Sequence, residues 1–259
     1  MFLNPFQEAF LGADADVVAF CAPRASGKTY SLLSYGFEHA QQTEAFHGLF
    51  MQDSSHQHSA MGDAVHHYGH YIKENIIKEG AYINSAQCKF SWLEQKSTLR
   101  IATPMQRTIT QFQGSVFDYI GIDNLARISQ SSFLSLMQRA RSTTHGHPSV
   151  RVTFDVEPQG VINQSKDTWP YRFFAPWFDK EYDEPAPFGE TRRFVTHGYD
   201  TIHWLKQNEH EPFSRTATVI TPTYTYGKPL EYVDEVSEFT EEQFSYLLHR
   251  ERSKTKEEQ

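Results

Sequence analysis

Val17-Val18-Ala19-Phe20-Cys21-Ala22-Pro23-Arg24-Ala25-Ser26-Gly27-Lys28-Thr29-Tyr30-Ser31-Leu32-Leu33 is the stretch on which the fold turns. Five apolar residues, Val17 to Cys21, form a run too short for a helix and right for a buried strand. Small residues follow, and from Tyr30 to Phe37 the apolar positions recur at helical spacing. The order is strand, tight loop, helix. Gly27-Lys28-Thr29 at the loop's end matches the close of G-x-x-x-x-G-K-[S/T], with Ala22 in the place of the first glycine. In that pattern the loop's backbone N–H groups wrap phosphate oxygens, the lysine reaches the β- and γ-phosphates, and the hydroxyl holds Mg²⁺. The helix beginning near Thr29 adds free N–H groups and its positive dipole end. The tripeptide is common by chance; the strand in front and the helix behind give it weight.

Working outward, Gly48 to Met51 reads as a second strand, and His66 to Glu79 has a helical pattern with Lys73, Glu74 and Lys78 on its wet face. Lys89–Leu93 and Ser97–Ile101 read as strands of a hairpin-like excursion, Val116–Asp123 as a buried strand ending in an acid, and Val150–Phe154 as a further strand. Ser131 to Arg141 reads as a helix capped by Ser129 or Ser131. Strands alternating with helices predict an α/β fold with a mostly parallel central sheet flanked by helices. Beyond about Glu157 the pattern weakens into aromatic- and Pro-rich stretches, until Thr240-Glu241-Glu242-Gln243 opens a helix as a capping box.

Composition narrows the classes. The 259 residues allow one large domain or a domain with an appendage. An aromatic content of 14% supports a sizeable core. No run of about 18 apolar residues is present, so no membrane span is expected, and the acidic, Lys/Arg-free start does not read as a secretory signal. Cys21 and Cys88 read as reduced thiols. With 24 Lys+Arg against 32 Asp+Glu the net charge is −8, so a general DNA-coating protein is excluded. Contact with DNA would need a local patch or several subunits acting together.

Asp123 at the tip of its strand fits the carboxylate that helps hold Mg²⁺ in a P-loop ATPase. The next position, which carries a water-polarising Glu in many such ATPases, is Asn124; an amide can orient a water but cannot take its proton. Arg24 has two readings of equal standing, a solvated surface arginine or a group meeting charge on the γ-phosphate.

On these residues the chain resembles the ATPase domain of the large terminase subunit, the DNA-packaging motor of tailed bacteriophages. Pro23-Arg24-Ala25-Ser26-Gly27-Lys28-Thr29 is similar to that family's arginine-containing Walker A loop, and Gln113 to Asp123 to its Walker B approach. Asn4 to Phe10 resembles the upstream segment whose glutamine contacts adenine, which implies that role for Gln7. Phe133–Ser142 looks like the helix with paired arginines, Thr153–Pro158 like the coupling motif, Thr168–Phe174 like the Trp-containing stretch after it, and Tyr232–Leu248 like the end of the lid. The resemblance implies an ASCE-type P-loop NTPase with ATP and Mg²⁺ as ligands. Ala22, Pro23, Arg24, Ala25, Ser26, Gly27, Lys28 and Thr29 would bind nucleotide, Thr29 and Asp123 the metal, and Arg24, Lys28, Asp123 and Asn124 would serve catalysis. It further implies double-stranded DNA, a portal protein and a small terminase subunit as partners, a homo-oligomeric ring, and work in the host cytoplasm at the procapsid portal. Residues 1–190 would form the core and 191–259 a lid subdomain with a charged tail, with no nuclease domain among the 259 residues.

The departures from that family are Asn124 at the catalytic Glu position, Glu157-Pro158 in place of Asn-Pro, and Gln52-Asp53-Ser54-Ser55 where a basic residue is frequent. They keep a second function in view, an ATP-binding, hydrolysis-poor module that acts as an assembly or regulatory partner. His56, His58, His66, His67 and His70 are read as solvated, since no zinc signature such as H-E-x-x-H is present. Arg139 and Arg141 are read as a solvated helix face, with a neighbouring subunit's phosphates or DNA as the alternative.

Overall fold

The computed structural model describes residues 5–22, 26–52, 77–80, 87–92, 96–103, 111–141, 148–155, 168–179, 181–197 and 201–221. Ten strands form one sheet: β1 (Val17–Ala22), β2 (His47–Met51), β3 (Ile77–Gly80), β4 (Gln87–Trp92), β5 (Ser97–Ala102), β6 (Tyr119–Ile122), β7 (Ser149–Asp155), β8 (Thr191–His197), β9 (Thr201–Trp204) and β10 (Arg215–Ile220). Their order is β3-β4-β5-β2-β6-β7-β1-β10-β8-β9. From β5 to β10 every neighbouring pair is parallel; the two outer pairs at each edge are antiparallel.

Strand β1 is apolar throughout because helices cover both faces of the sheet, as parallel strands require. Its residues divide by parity. Val17, Ala19 and Cys21 face one core, whereas Val18, Phe20 and Ala22 face the other. The second core is closed by α1 (Pro5–Gly12) and α2 (Lys28–Gln42), through Phe10, Leu32, Leu33 and Phe37. The first is closed by α3 (Gln130–Met137), α4 (Trp169–Phe173) and α5 (Ala175–Phe178). Helix α3 starts at Gln130, and Ser129 caps it by accepting from the Ser132 N–H.

Two sequence readings change. The helical pattern expected over 66–79 gives way to strand over Ile77–Gly80, because Ile77 and Lys78 pair antiparallel with Trp92 and Ser91; the rest of that segment lies outside the described residues. The pair β4 and β5 is not an excursion, since β5 also bonds parallel to β2. Strands β8, β9 and β10 extend the same sheet, with β10 directly beside β1. The capping box at Thr240 and the tail lie outside the described residues, as does the histidine cluster.

Candidate nucleotide site

The site lies where β1, β6 and β7 end beside the start of α2, at the carboxyl edge of the parallel strands, where open α/β sheets take ligands. Gly27 is the residue before α2 and has φ +79°, a left-handed conformation that glycine adopts without cost. A Cβ on Gly27 would also displace the Gln7 amide, whose Nε2 from α1 occupies that space. Gln7 is buried and its Nε2 lies 3.5 Å from the Ser26 carbonyl, so the predicted base-reading residue packs on the phosphate loop.

Lys28 turns back along the loop. Its Nζ donates to the Ala22 carbonyl at 2.7 Å and pairs with Asp155 Oδ1 at 2.9 Å. One residue on, the Thr29 hydroxyl donates to Asp123 Oδ2 at 2.8 Å. The same carboxylate receives Gln52 Nε2 at 2.8 Å, and its Oδ1 receives the Thr153 hydroxyl at 2.7 Å. Asp123 is therefore aimed by strands on both sides of its own, β2 through Gln52 and β7 through Thr153. Asn124 leaves the strand with φ 57° and ψ 71°, and its backbone N–H donates to Thr153 Oγ1 at 3.1 Å. Tyr119 of β6 bonds the Leu32 carbonyl at 2.7 Å, fixing the acid-bearing strand to α2.

The structure thus brings Gln7, Ala22, Ser26, Gly27, Lys28, Thr29, Asp123 and Asn124 to one edge; Pro23, Arg24 and Ala25 lie outside the described residues. Gln52, Thr153 and Asp155 were not singled out as site residues from sequence. Gln52 follows β2, Asp155 ends β7 and Thr153 lies two residues before that end, so a place near the carboxyl end of a parallel strand is the signal that could have found them.

The donor set suits Mg²⁺ with a phosphate. A hydroxyl and a carboxylate oxygen, hard ligands for a hard cation, already touch at Thr29 and Asp123. Ser26 Oγ and Gln52 Oε1 are buried with no hydrogen-bond partner, so two polar atoms at this edge have capacity to spare. No cluster of three or more His, Cys, Asp or Glu able to hold a metal occurs among the described residues.

Two other expectations resolve locally. Arg139 is no solvated arginine: its Nη1 donates to the Phe112 carbonyl at 2.6 Å, whereas Arg141 is exposed and bonds Gln138 O. Cys21 is a free buried thiol, held well above its usual pKa by burial, and inert on that account. No described helix is long and apolar enough to cross a membrane.

A phosphate-loop strand and an acid-bearing strand separated by one further strand, with the lysine, hydroxyl and acid converging between them, define a P-loop NTPase. The chain belongs to the T4likevirus-type terminase large subunit N-terminal family, whose model matches residues 19–219. No curated protein matches it. Among solved structures it is similar to the large terminase of a thermophilic bacteriophage (11% identity, TM-score 0.46, covering 61% of this chain and 40% of that one). It is also similar to the HK97 bacteriophage large terminase (16%, 0.48, 60% and 33%). A third is the large terminase ATPase domain of Thermus phage P74-26 (12%, 0.44, 59% and 64%). The matched region spans well under two thirds of the first two of these chains.

Proposed function

We propose that this chain is the ATPase module of a viral DNA-packaging terminase, binding ATP·Mg²⁺ at the carboxyl edge of its sheet and coupling hydrolysis to translocation of double-stranded DNA into a procapsid. The observation that carries the reading is the convergence of Lys28, Thr29, Gln52 and Thr153 on Asp155 and Asp123 beside the first turn of α2. Lys28 and the loop amides bind the phosphates, and Gln7, packed on the loop, reads the adenine. Thr29 and Asp123 hold Mg²⁺, which when bound neutralises charge on the β- and γ-phosphates. Arg24 meets the charge that develops on the γ-phosphoryl group. The thermophilic bacteriophage's large terminase has been solved in complex with ADP and with ATP-gamma-S, the ligand class proposed for this chain. The partners in this reading are DNA, the portal protein, the small terminase subunit and further copies in a ring, acting in the host cytoplasm at the portal.

Asn124 favours a second reading, an ATP-binding module with negligible turnover. Steady-state hydrolysis by the chain, by Lys28→Ala and by Asn124→Glu, with DNA present, separates the two. The motor reading expects turnover that Lys28→Ala abolishes. The module reading expects ATP binding, negligible turnover and a gain with Asn124→Glu. A chain that does not bind ATP sinks both.

A further inference from the structure

We propose that Asp155 is the carboxylate that activates the attacking water, the task that the amide of Asn124 cannot perform. The inference rests on the nucleotide-site reading above and adds a catalytic residue to it.

Strand β7 lies between the loop-bearing β1 and the acid-bearing β6, with Asp155 in register with Ala22, the last residue of β1, and Val152 in register with Ile122. Side chains alternate along a strand. Val150, Val152 and Phe154 face the core beneath α3, so Arg151, Thr153 and Asp155 share the face toward α2. Thr153 on that row bonds the metal-binding carboxylate of Asp123. Asp155 stands two residues nearer the strand tip, about 6.5 Å further along at roughly 3.3 Å per residue. There its Oδ1 meets Lys28 Nζ at 2.9 Å, and the Asp155 side chain is 37% exposed. The ammonium that Asp155 touches is the one that engages the β- and γ-phosphates in this motif. A carboxylate next to that ammonium and open to solvent adjoins the γ-phosphoryl group and can accept a proton from a water there. Asn124, by contrast, engages Thr153 through its backbone N–H, and its amide is no base.

The step balances without a further reactant. The water oxygen bonds to the γ-phosphorus as the bond from that phosphorus to the β–γ bridging oxygen breaks, and the electron pair leaves with ADP. The water's proton passes to Asp155, which returns it to the departing phosphate or to solvent.

The same ion pair has a competing interpretation, in which Asp155 only restrains Lys28, and the two differ in sign. The test is single-turnover hydrolysis of ATP with DNA present, alongside binding of a fluorescent ATP analogue, for the unaltered chain, Asp155→Asn, Asp155→Glu and the double variant Asp155→Asn/Asn124→Glu. The expected result is a fall of about 100-fold or more in the hydrolysis rate of Asp155→Asn, the scale of a lost general base. Analogue binding is retained or tightened, because Lys28 loses a competing anion. Asp155→Glu keeps part of the rate, and the double variant regains part of it by moving the carboxylate to the neighbouring strand. An Asp155→Asn rate equal to or above that of the unaltered chain overturns the assignment and leaves the nucleotide-site reading intact. So does a loss in Asp155→Asn that neither carboxylate-bearing variant relieves. Absence of analogue binding by the unaltered chain overturns the nucleotide-site reading itself, and analogue binding without any hydrolysis by that chain overturns the catalytic role.

Discussion

Asn124 is two things at once, the residue that removes the expected base and a residue suited to its backbone. At φ 57° it occupies the left-handed region, which Asn visits far more readily than Glu. Replacing it with Glu therefore carries a conformational cost of about 1 kcal/mol, to be read as a lower denaturation midpoint in urea whatever happens to turnover. Gly27 makes a sharper case. Gly27→Ala meets both a positive φ and the Gln7 amide, so the Gln7 side chain must leave the loop for the substitution to fit. ATP affinity is expected to fall at least tenfold, while the melting temperature drops by only a few degrees; unchanged affinity would show that Gln7 has no part in shaping the loop. At Thr29 the hydroxyl and not the volume matters, so Thr29→Ser should retain Mg²⁺-dependent nucleotide binding and Thr29→Val should lose most of it, measured by titrating Mg²⁺ against a fluorescent ATP analogue.

At the scale of elements, β7 links the site to α1. Arg151 is buried, and its Nη atoms donate to the carbonyls of Phe10 and, at 2.9 Å, Ala13, while its guanidinium lies 3.9 Å from the Tyr35 ring centroid. Burial lowers the Arg151 pKa, with Tyr35 opposing, yet guanidinium starts so high that the charge persists. Arg151→Met removes both hydrogen bonds and strands two carbonyls, a loss of about 2–4 kcal/mol read in chemical denaturation. Its reach to the phosphate edge is checked by whether Gln7-dependent ATP affinity falls with it. His39, in the last turn of α2, stacks near Tyr35 and Phe46 and has a lowered pKa, first from burial and then from Arg151. Below its ordinary value of 6.5 the unfolded chain binds the proton that the folded chain resists, so stability should decline as pH falls from about 6.5 and level off below the folded pKa. Melting temperatures across pH 5–8 should show this slope, flattened in His39→Gln. Much at this scale was legible in advance. The apolar run of β1, the acid directly after β6 and the Gly27-Lys28-Thr29 turn each announce themselves by local pattern. Arg151 and Asp155 do not, because a charged residue in a strand reads as solvent-facing until α1 and α2 are known to lie over that face. The partnership of Gln52 and Thr153 with Asp123 joins residues 71 and 30 positions apart, a distance no local pattern spans.

For the whole molecule, one sheet carries the nucleotide edge on one side of β1 and, through β10, β8 and β9, an aromatic wall on the other. Its rings, Trp177, Phe194 and Trp204 among them, meet at centroid distances of 5.0–5.1 Å. The sequence beyond Glu157 hid these strands because β8 and β9 carry few apolar residues among threonines, arginines and histidines, and because β8 and β10 are joined to the core by pairing rather than by adjacency in the chain. The net charge of −8 bears on how the molecule would meet DNA in the proposed motor role. Phosphate contacts supply most of the affinity, and an acidic monomer offers few of them against its own repulsive field. Several copies around one duplex bring the same few cations to it repeatedly. Stimulation of hydrolysis by double-stranded DNA should therefore rise more steeply than the first power of protein concentration until assembly saturates, and should fall steeply with added salt. The slope of a log–log plot of DNA-dependent rate against protein concentration checks this. A slope of one throughout, with little salt dependence, would mean that a single chain engages DNA without cationic patches shared among subunits.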